Sequence, residues 1–249
     1  MAITIRSAQT VRNGVTLRGN DTQYVTPADP LNRLFEFDAS NYTSGTTLLD
    51  VSGNGRHATI VGSPDWSSTA GGCFAFAADA NKYIEVPGSS AGWGLNTAGN
   101  NPTASFSVWA KVSAYGSYQY IAGWRGGLNL WFVILNNGFT TEARFDGGQT
   151  YYDIGVDYTP YYDNWAQITF VVDSANSQTR LYINGTQVGT VDGITGSFGE
   201  GVNPFRLGAH PDGAMPTNGA IGGAVAYARA LTQEEVTSEF NRTKTRYGL

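Results

Sequence analysis

The chain is poor in charge. Only 14% of its 249 residues are Asp, Glu, Lys or Arg, where about 25% is ordinary, and no cluster of Lys and Arg occurs. With a net charge of -5 and a pI near 4.9, nucleic acid is excluded as a partner, because binding it takes a concentrated basic face that displaces counterions from phosphates. Cysteine occurs once, at Cys73, which rules out an intrachain disulfide framework and a cysteine-based zinc site. Stability must come from packing, and Cys73 itself, in Gly72-Cys73-Phe74-Ala75-Phe76, reads as a buried, inert thiol. The two histidines, His57 and His210, lie in Gly/Pro-rich stretches and read as exposed turn residues. No apolar run approaches the roughly 20 residues of a membrane span. The opening MAITIRSAQTVRNG also lacks the apolar stretch of a signal peptide, so a soluble, unexported protein is expected. Neither a Walker A loop nor a dinucleotide fingerprint is present.

Glycine and aromatics are abundant: 32 Gly, 12 Phe, 6 Trp and 14 Tyr. Turns must be frequent, and the core material is ample for one domain, since all-β sandwiches commonly reach this length as a single unit. Charge is uneven. Residues 1–20 carry three Arg and no acid, whereas residues 31–230 carry nine bases against fifteen acids.

Residues 1–30 read as an N-terminal arm, free of aromatics until Tyr24 and closed by Pro27 and Pro30. Within it, Gln9–Arg12 and Val15–Arg18 flank Asn13-Gly14, a strong hairpin signal because a type I′ turn needs positive φ at two successive residues. A lone hairpin is marginal in water. The arm, with Ile3, Ile5, Val11, Val15 and Leu17 as its apolar anchors, is therefore expected to lie on the main domain or on another chain.

From residue 31 to 249, short β-prone runs recur between Gly, Asn, Asp and Pro, from Leu34–Phe37 through Ala58–Val61, Tyr83–Val86, Phe106–Val112, Ala166–Val172 and Phe205–Leu207 to Ala220–Ala226. Such spacing implies a sandwich or barrel. Phe106, Val108, Ala110 and Val112 share one face, as do Ile168, Phe170 and Val172, the period of two of a half-buried strand. Asn137-Gly138 and Asn184-Gly185 mark further hairpins. One helix is expected, opened by a capping box of Thr232 and Glu235 and docked through Val236 and Phe240, four residues apart. A polar tail, Arg242 to Leu249, follows.

The ordered set Leu34-Phe-Glu-Phe-Asp38, Asp50-Val-Ser-Gly-Asn-Gly-Arg-His57, Gly72-Cys-Phe-Ala-Phe76, Tyr83-Ile-Glu-Val-Pro87, Phe106-Ser-Val-Trp-Ala110, Asp163-Asn-Trp165, Leu181-Tyr-Ile-Asn-Gly185 and Ala228-Arg-Ala-Leu-Thr232 resembles the laminin-G-like jelly roll of the concanavalin A-like lectin and glucanase superfamily. The resemblance covers about residues 31–247. It implies an all-β, two-sheet antiparallel jelly-roll sandwich with an extended N-terminal arm and one short C-terminal helix, with Trp66, Trp109 and Trp165 at core positions. The Asp-Glu pair that the family often carries before its final helix is missing from Gly219–Tyr227, and with it one expected calcium ligand. The short arm and the Arg-Tyr-Gly-Leu ending also resemble virion proteins of tailed bacteriophages.

Glucanases in that superfamily make catalysis the first possibility to weigh. Retaining hydrolysis needs two carboxyl groups about 5–5.5 Å apart, set at alternate positions of one strand. Glu36 and Asp38 are the only such pair, on the first strand and followed by Ser40 instead of a third acid, so they read as surface or turn-capping carboxylates. Gly88-Ser89-Ser90-Ala91-Gly92 matches G-x-S-x-G, but the residues after it cannot open the helix that a nucleophile elbow requires. No catalytic residue is assigned. Calcium is the one cofactor left open, with Asp38, Asp50 and Asn54 as candidate ligands, although Asp50 and Asn54 equally suit Asx-turns.

Residues 115–162 hold eight of the 14 tyrosines. Tyrosine joins an apolar ring to a polar tip and favours half-wet contact surfaces, while sheet propensity is the competing explanation. Trp124, Tyr151, Tyr152, Tyr158, Tyr161 and Tyr162 are accordingly the candidates for binding a carbohydrate or a partner protein. The expectation is a non-catalytic virion protein on a capsid or tail, anchored by its arm among other virion proteins, forming a homo-oligomer and presenting its sandwich to cell-surface carbohydrate. The alternative is a free-standing, calcium-dependent lectin.

Overall fold

A computed structural model describes residues 10–11, 15–16, 32–88, 92–93, 95, 103–124, 130–135, 138–145, 150–195 and 204–249. In chain order the strands are β1 (Thr10–Val11), β2 (Val15–Thr16), β3 (Arg33–Asp38), β4 (Thr47–Leu48), β5 (Ala58–Val61), β6 (Asp65–Ser67), β7 (Cys73–Ala75), β8 (Tyr83–Val86) and β9 (Thr103–Val112). They continue with β10 (Gln119–Trp124), β11 (Leu130–Leu135), β12 (Gly138–Phe145), β13 (Thr150–Asp157), β14 (Trp165–Asp173), β15 (Gln178–Ile183), β16 (Thr186–Asp192), β17 (Phe205–Leu207) and β18 (Gly219–Tyr227). The one α-helix among the described residues, α1, spans Gln233–Thr243.

Two antiparallel sheets form the sandwich. The first runs β13-β12-β11-β10-β17-β8-β5-β4, and the second runs β16-β15-β14-β9-β18-β7-β6, with β3 continuing the edge of β18 that β7 begins. Every candidate strand named from the sequence is present, and the all-β jelly roll with one C-terminal helix is the observed fold. Asn184 and Gly185 both adopt positive φ, 51° and 76°, as their hairpin turn requires. Asn137 lies outside the described residues. In the arm, Thr10–Val11 pairs with Val15–Thr16 and with no other described strand. Ile3, Ile5 and Leu17 lie outside the described residues, as do the side chains of Val11 and Val15.

The core lies between the sheets, where Phe106, Val108, Ala110 and Val112 of β9 meet Ile168, Phe170 and Val172 of β14. These two strands differ from the half-buried expectation because their outer face is covered too. Ser105 Oγ donates to Arg229 O (2.9 Å) and accepts from Leu231 N (3.0 Å), so the segment entering α1 is bonded to β9. Val171, Tyr182, Val225, Tyr227, Leu231 and Val236 form a second, smaller apolar cluster under the helix.

The C-terminal tail is not a loose polar end. Lys244–Tyr247 continues α1 as a 3-10 turn. Arg246 is bonded to Ala70 O (2.6 Å), Gly72 O (2.7 Å) and Gly222 O (3.2 Å), and it pairs with Asp38. Tyr247 is buried against Trp109 and Trp165. Of the tryptophans expected in the core, Trp109 is buried, Trp165 is half-buried and Trp66 lies at the surface. Trp66 is 42% exposed, its Nε1–H donating to Ala39 O (3.0 Å) and its ring tilted against Tyr42 at 6.1 Å.

Candidate functional site

Glu36 and Asp38 project from alternate positions of β3 toward the C-terminal segment. Glu36 accepts from Arg242 (2.8 Å) and pairs with Arg33. Asp38 accepts from Ser40 N (2.7 Å) and pairs with Arg246. Both carboxylates are committed to guanidiniums that fasten the chain end to the sandwich, an arrangement that serves docking. Residues 89–91 of the G-x-S-x-G match lie outside the described residues.

Asp50 organises the turn between β4 and β5. Its Oδ1 accepts from Glu36 N (3.0 Å) and Ser52 N (2.9 Å), and its Oδ2 accepts from Arg56 N (2.9 Å). Burial pushes the Asp50 carboxyl up, but hydrogen bonds from Glu36, Ser52 and Arg56 outweigh it and hold the acid below its ordinary value. Asn54 Nδ2 donates to Arg33 O (2.6 Å). The three calcium candidates are thus each engaged by protein groups, and no cluster of three or more His, Cys, Asp or Glu suited to a metal occurs among the described residues. His57 is exposed and accepts at Nδ1 from Asp50 N (3.1 Å). His210 departs from the exposed-turn expectation. It is fully buried, pairs with Asp212 and meets the Tyr120 ring edge-on at 5.0 Å, because the segment 208–217 is bonded along the backbone of β10, with Tyr120 N donating to Met215 O (2.9 Å) and Thr217 Oγ1 to Tyr120 O (2.7 Å). Cys73 is buried as expected, and burial pushes its thiol up, away from reactivity.

The aromatic candidates separate by burial. Trp124 is 0% exposed and sits among Trp93, Phe106 and Phe205 with centroids 4.7, 5.1 and 4.8 Å away. Tyr158 is likewise 0% exposed, between Tyr161 and Tyr162, and burial followed by those two neighbours pushes its phenol well above the usual range. Neither offers a ring face to a ligand, so both leave the binding set for the core: their rings fill volume that the sandwich needs filled. Tyr152 is half-buried, its hydroxyl accepting from Thr195 N (2.9 Å). Tyr161 and Tyr162 are half-buried against the core. The backbone of Tyr151 pairs with Arg144, and its side chain lies outside the described residues.

Among the described residues, the exposed rings of the tyrosine-rich stretch are Tyr115 (39%) and Tyr118 (44%), both in the 113–118 loop between β9 and β10. The signal for them is local. In Ser113-Ala-Tyr-Gly-Ser-Tyr118 the rings alternate with small loop formers, which supply nothing to bury them. The loop itself is clamped. Ser113 N donates to Asn218 O (2.8 Å), Ser113 Oγ to Asp163 Oδ1 (2.5 Å), and buried Gln119 ties Ser113 O (3.0 Å) to Asn218 N (2.7 Å). Asp163 N donates to Val112 O (2.9 Å), which brings the 158–164 turn, with Tyr161, Tyr162 and Asn164, to the same end of the sandwich. Two exposed rings on a fixed loop, fringed by Asp163, Asn164 and Asn218, can stack on an apolar face and hydrogen-bond its polar rim.

Residues 78–237 match the family model described as the concanavalin A-like lectin/glucanases superfamily. By sequence, no curated protein matches. Among solved structures, the receptor binding domain of the botulinum neurotoxin C/D mosaic serotype is similar with a TM-score of 0.68 at 14% identity, covering 85% of this chain and 51% of that one. The binding domain of Paraclostridial Mosquitocidal Protein 1 gives 0.65 at 16%, covering 85% and 52%. The binding domain of botulinum neurotoxin DC in complex with SialylT gives 0.66 at 14%, with the same coverages. At these identities the likeness is one of fold, and the chain spans about half the length of the structures it matches.

Proposed function

We propose, from the premise that the chain belongs to the concanavalin A-like lectin/glucanases superfamily, that it is a non-catalytic recognition module whose contact surface is the clamped loop end bearing Tyr115 and Tyr118. The observation that carries this reading is the exposure of those two rings on a loop held by Ser113, Asp163 and Gln119. A preformed aromatic platform binds without the entropy cost of ordering a loop. The commitment of Glu36 and Asp38 to guanidiniums supports a non-catalytic role. A glycan is the favoured target, in keeping with the similar binding domain described in complex with SialylT.

In its finer form the proposal makes the protein an accessory protein of a tailed-bacteriophage virion, in contact with other virion proteins and further copies of itself, and attached by residues 1–30. The β1–β2 pair supports this, because it joins neither sheet among the described residues and a two-stranded hairpin needs a neighbour to be stable. A glycan array with and without calcium tests recognition: binding lost in Tyr115→Ala/Tyr118→Ala supports it, and binding unchanged in that variant removes the platform. Calcium-dependent binding would favour the free lectin. Deletion of residues 1–25 tests attachment, with a folded sandwich absent from particles as the expected result and normal incorporation as the contrary one.

A further inference from the structure

Beside the packed stripe of α1, a cleft of about 180 Å³ opens between the helix and the paired ends of β3 and β18, where Arg33 lies opposite Tyr227. At about 30 Å³ per water, it has room for roughly six waters or one small ring. Glu235, Ser238, Glu239 and Arg242 recur along the helix at the three- and four-residue steps that put them on one face. Leu231 and the Tyr227 ring form the apolar wall opposite.

Tyr227 is 1% exposed and lines this cleft, and its hydroxyl has no hydrogen-bond partner among the described residues. Burial, followed by the carboxylates of Glu239 and Glu36, pushes its phenol far above the usual range, so it remains a donor. The charges around it cancel. Arg242 holds Glu239 through two nitrogens, at 2.6 and 3.1 Å, and also Glu36 at 2.8 Å. Arg33 pairs with Glu36, and Arg229 holds Glu235 at 2.7 and 2.8 Å. An anion would have to strip a guanidinium from its carboxylate, and a cation would face Arg33 and Arg242. Neutral hydroxyls meet neither obstacle. They can use the spare lone pairs of Glu239 and Glu235 and accept from Tyr227, while the ring and Leu231 cover an apolar face.

We propose that this cleft binds one neutral polyhydroxylated ring, a single sugar unit, with Tyr227 Oη as donor, Glu239 and Glu235 as acceptors and Ser238 as either. The site is separate from the tyrosine loop end and does not depend on it.

The test is an amide-resolved NMR titration of the full chain with methyl glucopyranoside, methyl galactopyranoside and methyl mannopyranoside, together with the corresponding disaccharides. Binding of at least one monosaccharide should move signals of residues 227–242 and the start of β3, with no gain for the disaccharide. Tyr227→Phe keeps the ring and should weaken binding about three- to tenfold, the worth of one neutral hydrogen bond. Ser238→Trp, on the exposed side of α1, should fill the cleft and abolish the shifts without loss of thermal stability, which keeps the test usable should Tyr227→Phe fail to fold. Tyr118→Ala should leave the shifts of residues 227–242 unchanged, whatever happens at the loop, so failure here and failure of the loop platform read out separately. Absence of shifts in this region with all three sugars, or shifts that persist undiminished in Ser238→Trp, would show that the cleft holds water only.

Discussion

The ring of Tyr247 lies flat on Trp109, centroids 4.0 Å apart and planes 14° from parallel, while Trp109 Nε1–H donates to Thr243 Oγ1 at 2.9 Å. Two residues at the end of the chain thereby cover the outer face of β9, a central strand of the second sheet. Removing the ring by Tyr247→Ala forfeits its burial and its stacking, at about 3 kcal/mol. In a domain of this size that lowers Tm by roughly 6–12 °C. Thermal unfolding followed by tryptophan fluorescence measures it, and the Trp109 environment should change in the same variant.

Burial separates two aromatic residues that composition alone treats alike. Trp124→Ala empties a site enclosed by Trp93, Phe106 and Phe205 and should cost about 3–5 kcal/mol. Tyr118→Ala, on the exposed loop, should stay within about 0.5 kcal/mol. Denaturant unfolding of both variants checks the contrast, and equal losses would show that Tyr118 is structural.

Strands, hairpin turns and the helix start were legible in the sequence because each rests on local chemistry: alternation in β9 and β14, the Asn184-Gly185 turn, the Thr232/Glu235 box. The very short β4 and β6 carry too few residues to show a period. Long-range packing stayed hidden. The tail reads as polar, but Arg246 and Tyr247 find their partners on strands far back in the chain. The missing Asp-Glu pair has a steric counterpart in the same contact: a Cβ on Gly222 would stand 2.6 Å from Tyr247 Oη. Aromatic density singled out the stretch that holds Tyr115 and Tyr118. It could not rank the rings, since whether Tyr158 or Tyr115 is exposed depends on which sheet face and which neighbouring loop meets it.

The capping box can be separated from the ion pair that shares it. Thr232 Oγ1 accepts from Glu235 N (3.3 Å), and Glu235 Oε2 accepts from Thr232 N (2.9 Å) while also holding Arg229 (2.7 Å). Thr232→Ala should cost about 1 kcal/mol, and Glu235→Ala more, because it also leaves Arg229 without its carboxylate. The Arg229 bond comes first among the causes that hold the Glu235 carboxyl below its usual value. Chemical denaturation at neutral pH should rank the two variants in that order.

Asp50 makes part of the stability depend on pH, and the sign follows from its partners. Its folded pKa is lowered despite burial, by the hydrogen bonds from Glu36, Ser52 and Arg56, so the native state binds its proton later than the unfolded chain does. The contribution is therefore complete above the unfolded value, about 3.9, and is lost as pH falls through the lower folded one. Asp50→Asn keeps one acceptor but turns an amide group toward Arg56 N when it replaces Oδ2. It should cost about 1–2 kcal/mol at pH 7 and flatten the decline of Tm between about pH 5 and pH 2. Parallel thermal melts of the two proteins across that range decide the matter: curves that stay a constant distance apart would mean that Asp50 titrates alike in the folded and unfolded chains.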